Sequence, residues 1–125
     1  MVLTSPSSLQ CNIGMSVDHV TQLRKGALEL AVLALLDRAP SYGFEIVDGL
    51  AALPGLDATK GTLYPLLTRL KNSGLVETTW QESTKGPPRK YYALSTAGRA
   101  ELRTQATAWH QLVAAMATLI PEDSR

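Results

Sequence analysis

Between Leu23 and Asp37 the chain reads LRKGALELAVLALLD, an almost unbroken apolar stretch with Glu29 as the one acid inside it. Such a run is too long for an ordinary strand, and because it is apolar on nearly every side it has to be buried as a helix. Arg24 and Lys25 at its entry are expected in solvent. One domain has to form around this helix, since 125 residues supply a single modest core. The run stays short of the roughly 20 apolar residues that a membrane span needs. A hydrophobic share of 45% with charges of both signs excludes wholesale disorder. The expectation is a soluble, cytoplasmic protein with no membrane partner. Formal net charge is only +1, so a nucleic-acid surface has to arise from where the cations sit rather than from their excess.

Arg38-Ala39-Pro40 ends this helix, and Ser41 is placed to cap a second one, with Glu45 near its positive end and Tyr42, Ile46, Leu50 and Leu53 spaced along it. Pro54-Gly55 breaks the pattern. Asp57 or Thr59 then caps a third helix that runs to about Asn72, with Gly74 as its left-handed stop. The period next changes from helical to alternating: Leu75 to Trp80 reads as a strand, and Arg89 to Ser95 as its partner. The polar, proline-stiffened segment Ser83 to Pro88 makes the tip of that hairpin. Ser95 or Thr96 opens a last helix, in which Leu102, Ala106, Trp109, Val113, Met116 and Ile120 recur at spacings of four and three, the spacing of a coiled-coil seam.

Three helices followed by a hairpin is the order of a winged helix, so the fold class expected is mostly α with a small β-hairpin: a winged helix-turn-helix domain plus a long C-terminal dimerisation helix. Residues 1–20 are read as a flexible tail, 21–95 as the DNA-binding domain, 96–120 as the dimerisation helix and 121–125 as a second tail. Met15 is an alternative start, and Cys11, the single cysteine, is read as a surface thiol that forms no internal disulfide.

On the third helix, Leu63, Leu66, Leu67 and Leu70 share one face, while Gly61, Tyr64, Pro65 and Thr68 project the other way between Lys60 and Lys71. That outward face carries no carboxylate to repel phosphate, and Thr62, Tyr64 and Thr68 offer it hydroxyls. Pro65 lacks the donor that would reach Gly61, which gives either a first turn tuned for shape or a mild kink. At the hairpin, Lys85, Arg89 and Lys90 put cations on a stiff loop suited to a phosphate track. Enzyme chemistry finds no cluster: His19, His110 and Cys11 share no metal-ligand spacing, and neither a phosphate-cradling glycine loop nor a nucleophile elbow is present. No catalytic residue, metal or cofactor is implied. The chain reads as a binding protein, and the competing reading is a winged-helix protein-interaction module without specific DNA binding.

Four segments, RKGALELAVLALL, YGFEI (Tyr42 to Ile46), KGTLYPLLTRLKNSGLVE (Lys60 to Glu77) and GPPRKYYALSTAGR (Gly86 to Arg99), resemble the PadR family of transcriptional regulators, in the family's order and over about residues 23–120. A single C-terminal helix resembles the family's smaller subgroup. The resemblance implies a homodimeric repressor relieved by a small molecule, acting on a double-stranded operator. Carried onto this sequence, it makes Tyr42, Tyr64 and its neighbours Lys60, Thr62 and Thr68, and the hairpin cations Lys85, Arg89 and Lys90, the DNA-contact candidates. A twofold dimer implies an inverted-repeat operator. Trp109 resembles a tryptophan that drug-binding members carry on this helix. It is therefore read either as seam filling or as part of a pocket for a planar aromatic effector, with Gln105 and His110 as polar neighbours.

Overall fold

The computed structural model describes residues 15–122. The readings made for residues 1–14, Cys11 among them, and for 123–125 lie outside the described residues. Helix α1 spans Met15–Arg38 and starts well ahead of Leu23. Residues 15–20 are therefore helical rather than tail. The sequence explains why: between Met15 and Leu23 there is neither glycine nor proline, so no breaker interrupts the helix over these residues. Leu28, Val32, Leu33 and Leu36 form its buried face.

Ser41 does not cap the second helix. Ser41 and Tyr42 form a short strand, β1, and helix α2 begins after it at Gly43 and runs to Ala51. The Ser41 hydroxyl donates to the Ala39 carbonyl at 3.1 Å, and the Tyr42 N–H donates to Glu45 Oε1 at 3.1 Å, so the helix entry is held by Glu45 reaching back. The chain leaves Pro40 extended, and the open edge of a later strand offers its backbone groups there. Leu53 falls beyond α2 and stays half in solvent.

Helix α3, Lys60–Asn72, follows Thr59 and buries Leu63, Leu66, Leu67 and Leu70. Gly74 ends it at φ +79°: its N–H donates to the Lys71 carbonyl and the Leu75 N–H donates to the Leu70 carbonyl, both at 3.0 Å. This double closure requires a left-handed residue, and glycine adopts that conformation without steric cost.

Strands β2 (Val76–Gln81) and β3 (Arg89–Leu94) form an antiparallel hairpin in register from Val76 opposite Leu94 to Gln81 opposite Arg89. Strand β1 joins on the other side of β3, pairing Ser41 with Tyr92 and Tyr42 with Tyr91, so the hairpin becomes a three-stranded sheet of order β1-β3-β2. Helix α4, Thr96–Leu119, is capped by the Ser95 hydroxyl, which accepts from the Gly98 N–H at 3.0 Å and donates to the Gly74 carbonyl at 2.7 Å. That one hydroxyl pins the end of the hairpin, the start of α4 and the turn after α3 together. The core lies between α1, α2, α3 and the inner face of the sheet, with Ile46, Leu50, Val76, Tyr92 and Leu94 completing it.

Candidate nucleic-acid interface

The outward face of α3 is exposed as its sequence predicts: Lys60, Gly61, Thr62, Pro65, Thr68 and Lys71 all lie in solvent. Pro65 is tolerated because it sits on this face, where the Gly61 carbonyl that has no N–H to accept from is open to water. Tyr64 behaves differently. It is 37% exposed, and its ring lies against Gly43, where an added Cβ would come within 2.6 Å of both Cε1 and the hydroxyl oxygen. The start of α2 thus borders the tyrosine, and any side chain at 43 would displace its ring from this position.

The hairpin cations are also positioned by aromatic rings. The Arg89 guanidinium carbon stands 4.4 Å from the centre of the Tyr42 ring, and Lys90 Nζ stands 5.7 Å from that of Tyr92. Such contacts hold a cation near a ring face without neutralising it. Tyr42 in turn packs edge-on against Tyr91, with ring centres 5.5 Å apart. Burial, together with the neighbouring Tyr64 phenol, pushes the Tyr92 hydroxyl above its ordinary pKa, so it remains a neutral hydrogen-bonding group at any physiological pH. At the tip, the Ser83 hydroxyl donates to the Lys85 carbonyl at 2.9 Å and accepts from the Lys85 N–H at 3.3 Å, and Gly86 turns the chain at φ +101°.

Tyr42, Tyr64, Arg89 and Lys90 therefore meet around one shallow concavity of about 300 Å³, together with Gly43 and Phe44. Lys60 and Thr68 lie along the exposed face of α3, Lys85 stands at the hairpin tip, and Thr62 faces the opposite flank, towards α1. Sequence reasoning missed Gly43 and Phe44. Phe44 was detectable as an aromatic residue off the apolar face of α2, and its ring centre is 6.5 Å from that of Tyr42. Gly43 gave no sequence signal, because its role is to leave space for a residue distant in the chain.

The residues singled out on α4 divide. Leu102 packs against the core and Ala106 is half-buried, whereas Trp109, Val113, Met116 and Ile120 are exposed, and Leu112 and Leu119 widen the exposed apolar stripe. Trp109 stands between two apolar grooves shared with α1. One, of about 440 Å³, is lined by Leu30, Ala34, Leu56 and Ala106; the other, of about 310 Å³, by Leu23, Gly26, Ala108 and Leu112. Gln105 borders the second, but its Nε2 already donates to Glu29 Oε2 at 2.7 Å and to Glu101 Oε2 at 2.8 Å. Both amide protons are committed, which leaves its carbonyl oxygen for any further contact. His110 lines neither groove.

The family model described as the transcriptional regulator PadR-like family matches residues 32–104, more than half of the chain. The chain belongs to the PadR-like family. A PadR-like transcription factor from Bacteroides fragilis is 42% identical, with a TM-score of 0.68 over 80% of this chain and 96% of its own. A PadR-family regulator from Eggerthella lenta is 34% identical, with a TM-score of 0.77 over 88% of this chain and 96% of its own. One from Bacillus cereus is 29% identical at a TM-score of 0.74, covering 82% and 99%. The PadR-like fold is a winged helix-turn-helix with a long C-terminal helix, and members of the family are transcriptional regulators rather than enzymes. Among the described residues no helix is long and apolar enough to cross a membrane.

Proposed function

We propose that this PadR-like chain is a dimeric, sequence-specific repressor that binds a double-stranded, inverted-repeat operator and is released by a small planar aromatic effector. The observation that carries the DNA-binding part is the charge pattern around α3. Its outward face bears no carboxylate, and Arg89 and Lys90 stand beside Tyr64 on ring-supported positions. Helix α3 then enters the major groove and the hairpin lies along the adjoining backbone. Dimerisation uses the exposed stripe of Trp109, Val113, Met116 and Ile120, which gains little unless another helix covers it. A twofold arrangement sets the two α3 helices about 34–36 Å apart, matching half-sites one helical turn apart. The effector pocket forms at Trp109, whose indole stacks on the ligand between the grooves of α1 and α4.

The test is a duplex titration across a salt series. Replacing Lys85, Arg89 and Lys90 together with Gln should weaken binding to every duplex and flatten the slope of log K against log salt by about 0.9 for each phosphate no longer neutralised. Binding that is insensitive to salt would point instead to the protein-interaction module.

A further inference from the structure

Tyr64 and the hairpin occupy one flank of α3, and the other flank is also built. There Thr62, Pro65 and Arg69 face α1 across an open trough of about 510 Å³, floored by Leu28 and Leu66. Arg24, Lys25 and Arg69 line it against a single carboxylate, Glu29. In a chain of net charge +1 this is a local surplus, assembled by folding from α1 and α3.

Two of the three cations are held in place. An Arg24 guanidinium N–H donates to the backbone carbonyl of Asp57, a neutral acceptor that orients the charge without cancelling it. Arg69 Nη1 donates to Glu29 Oε1 at 2.9 Å, while Glu29 Oε2 accepts from Gln105. Both oxygens of Glu29 are thus engaged, one by Arg69 and the other by Gln105. Lys25 is exposed and makes no ion pair among the described residues.

A helix lying in the major groove, about 12 Å wide, has a phosphate backbone on each side of it. The hairpin supplies cations for one side only. Resting on the DNA-binding reading above, we propose that the trough between α1 and α3 receives the backbone of the opposite strand, with Lys25 and Arg24 meeting its phosphates. Arg69, whose charge Glu29 offsets, presents its remaining guanidinium N–H groups at the rim, and the Thr62 hydroxyl is a further donor there. An open trough that runs beside the reading helix suits a continuous polyanion, which has to enter at one end and leave at the other. Helix α3 is then gripped from both flanks, which fixes its rotation in the groove as well as its depth.

The decisive variant is Lys25→Gln, because Lys25 is exposed and makes no ion pair among the described residues, with Lys25→Arg as the charge-preserving control. The full chain is titrated into a labelled mixed-sequence duplex long enough for two half-sites, between about 50 and 200 mM salt. Lys25→Gln should weaken binding by roughly three- to tenfold at the lower salt and reduce the slope by about 0.9 for each phosphate it neutralises in the wild type. Lys25→Arg should restore both, with melting temperature and sedimentation unchanged throughout. A wild-type slope in Lys25→Gln, whatever its affinity, overturns the proposal that phosphates lie in the trough. If the triple hairpin variant flattens the slope in the same series, DNA binding itself stands. A wild-type protein that binds the duplex without salt dependence removes both readings together.

Discussion

Helices α3 and α4 both carry apolar stripes, yet the chain treats them in opposite ways. On α3 the stripe of Leu63, Leu66, Leu67 and Leu70 is buried within the subunit, with Leu67 at 0% exposure. On α4 the stripe is covered only as far as Leu102 and Ala106; beyond them Val113 at 44% and Met116 at 43% face solvent. The difference lies in what each helix has opposite its apolar face. Helix α3 is enclosed by α1, α2 and the sheet, whereas α4 touches β3 only at its base near Ser95 and, among the described residues, runs on beside α1. An apolar periodicity therefore shows that a face needs covering, while the identity of the covering element depends on geometry. In the function proposed above, the covered face of α3 frees the opposite one to read DNA, and the uncovered face of α4 is the one a second copy would cover.

Truncating the two stripes separates these roles. Leu67→Ala should cost about 2–5 kcal/mol of stability, because it opens a cavity in a fully packed site. Chemical denaturation should show that loss at every protein concentration. A loss below about 1 kcal/mol would mean that the α3 stripe is no better covered than that of α4. The base of α4 should be nearly as sensitive. A Cβ at Gly98 would lie 2.1 Å from the Leu75 carbonyl oxygen, so Gly98→Ala has to push the helix off the end of the hairpin. About 1–3 kcal/mol should be lost, read as a lowered melting temperature.

The exposed end of α4 should respond in a different quantity. Val113→Asp combined with Met116→Asp should leave the melting of the isolated subunit nearly unchanged, since neither side chain is buried within it. Sedimentation should nevertheless show monomers where the wild type gives dimers, and a persisting dimer would place the interface elsewhere. The smallest effect belongs to the reading face. Tyr64→Ala should weaken operator binding by about 1–2 kcal/mol, close to tenfold, with little loss of stability. Tyr64→Phe keeps the ring against Gly43 and should separate loss of the hydroxyl from loss of packing in the same mobility-shift titration.

Much of the fold is legible along the chain because its features are local. The leucine spacing of α3, the left-handed stop at Gly74, the hairpin strands to within a residue and the Ser95 cap each depend on a few consecutive residues. The absence of acids on the outward face of α3 is readable by the same periodicity. The start of α1 lies upstream of the expected one because a polar, tail-like composition does not stop a helix where no breaker lies between Met15 and Leu23. Strand β1 has no sequence signal, because two residues have no period of their own and become a strand only where β3 offers an edge.

Which faces are apolar, which residues stop or cap each element, and where cations and hydroxyls fall along the chain are set by near neighbours, through the helix and strand periods. Tertiary structure decided the rest, because it depends on contacts between residues far apart in the chain. Gly43 makes room for Tyr64, Gly98 fits beneath the Leu75 carbonyl, and Arg89 rests over Tyr42. Glu29, the lone acid of the apolar run, holds Arg69 of α3 on one oxygen and Gln105 of α4 on the other. Its position in the sequence marked it as unusual, but only the packing of α3 and α4 against α1 supplied both partners, because a half-buried carboxylate is stable where donors converge on it.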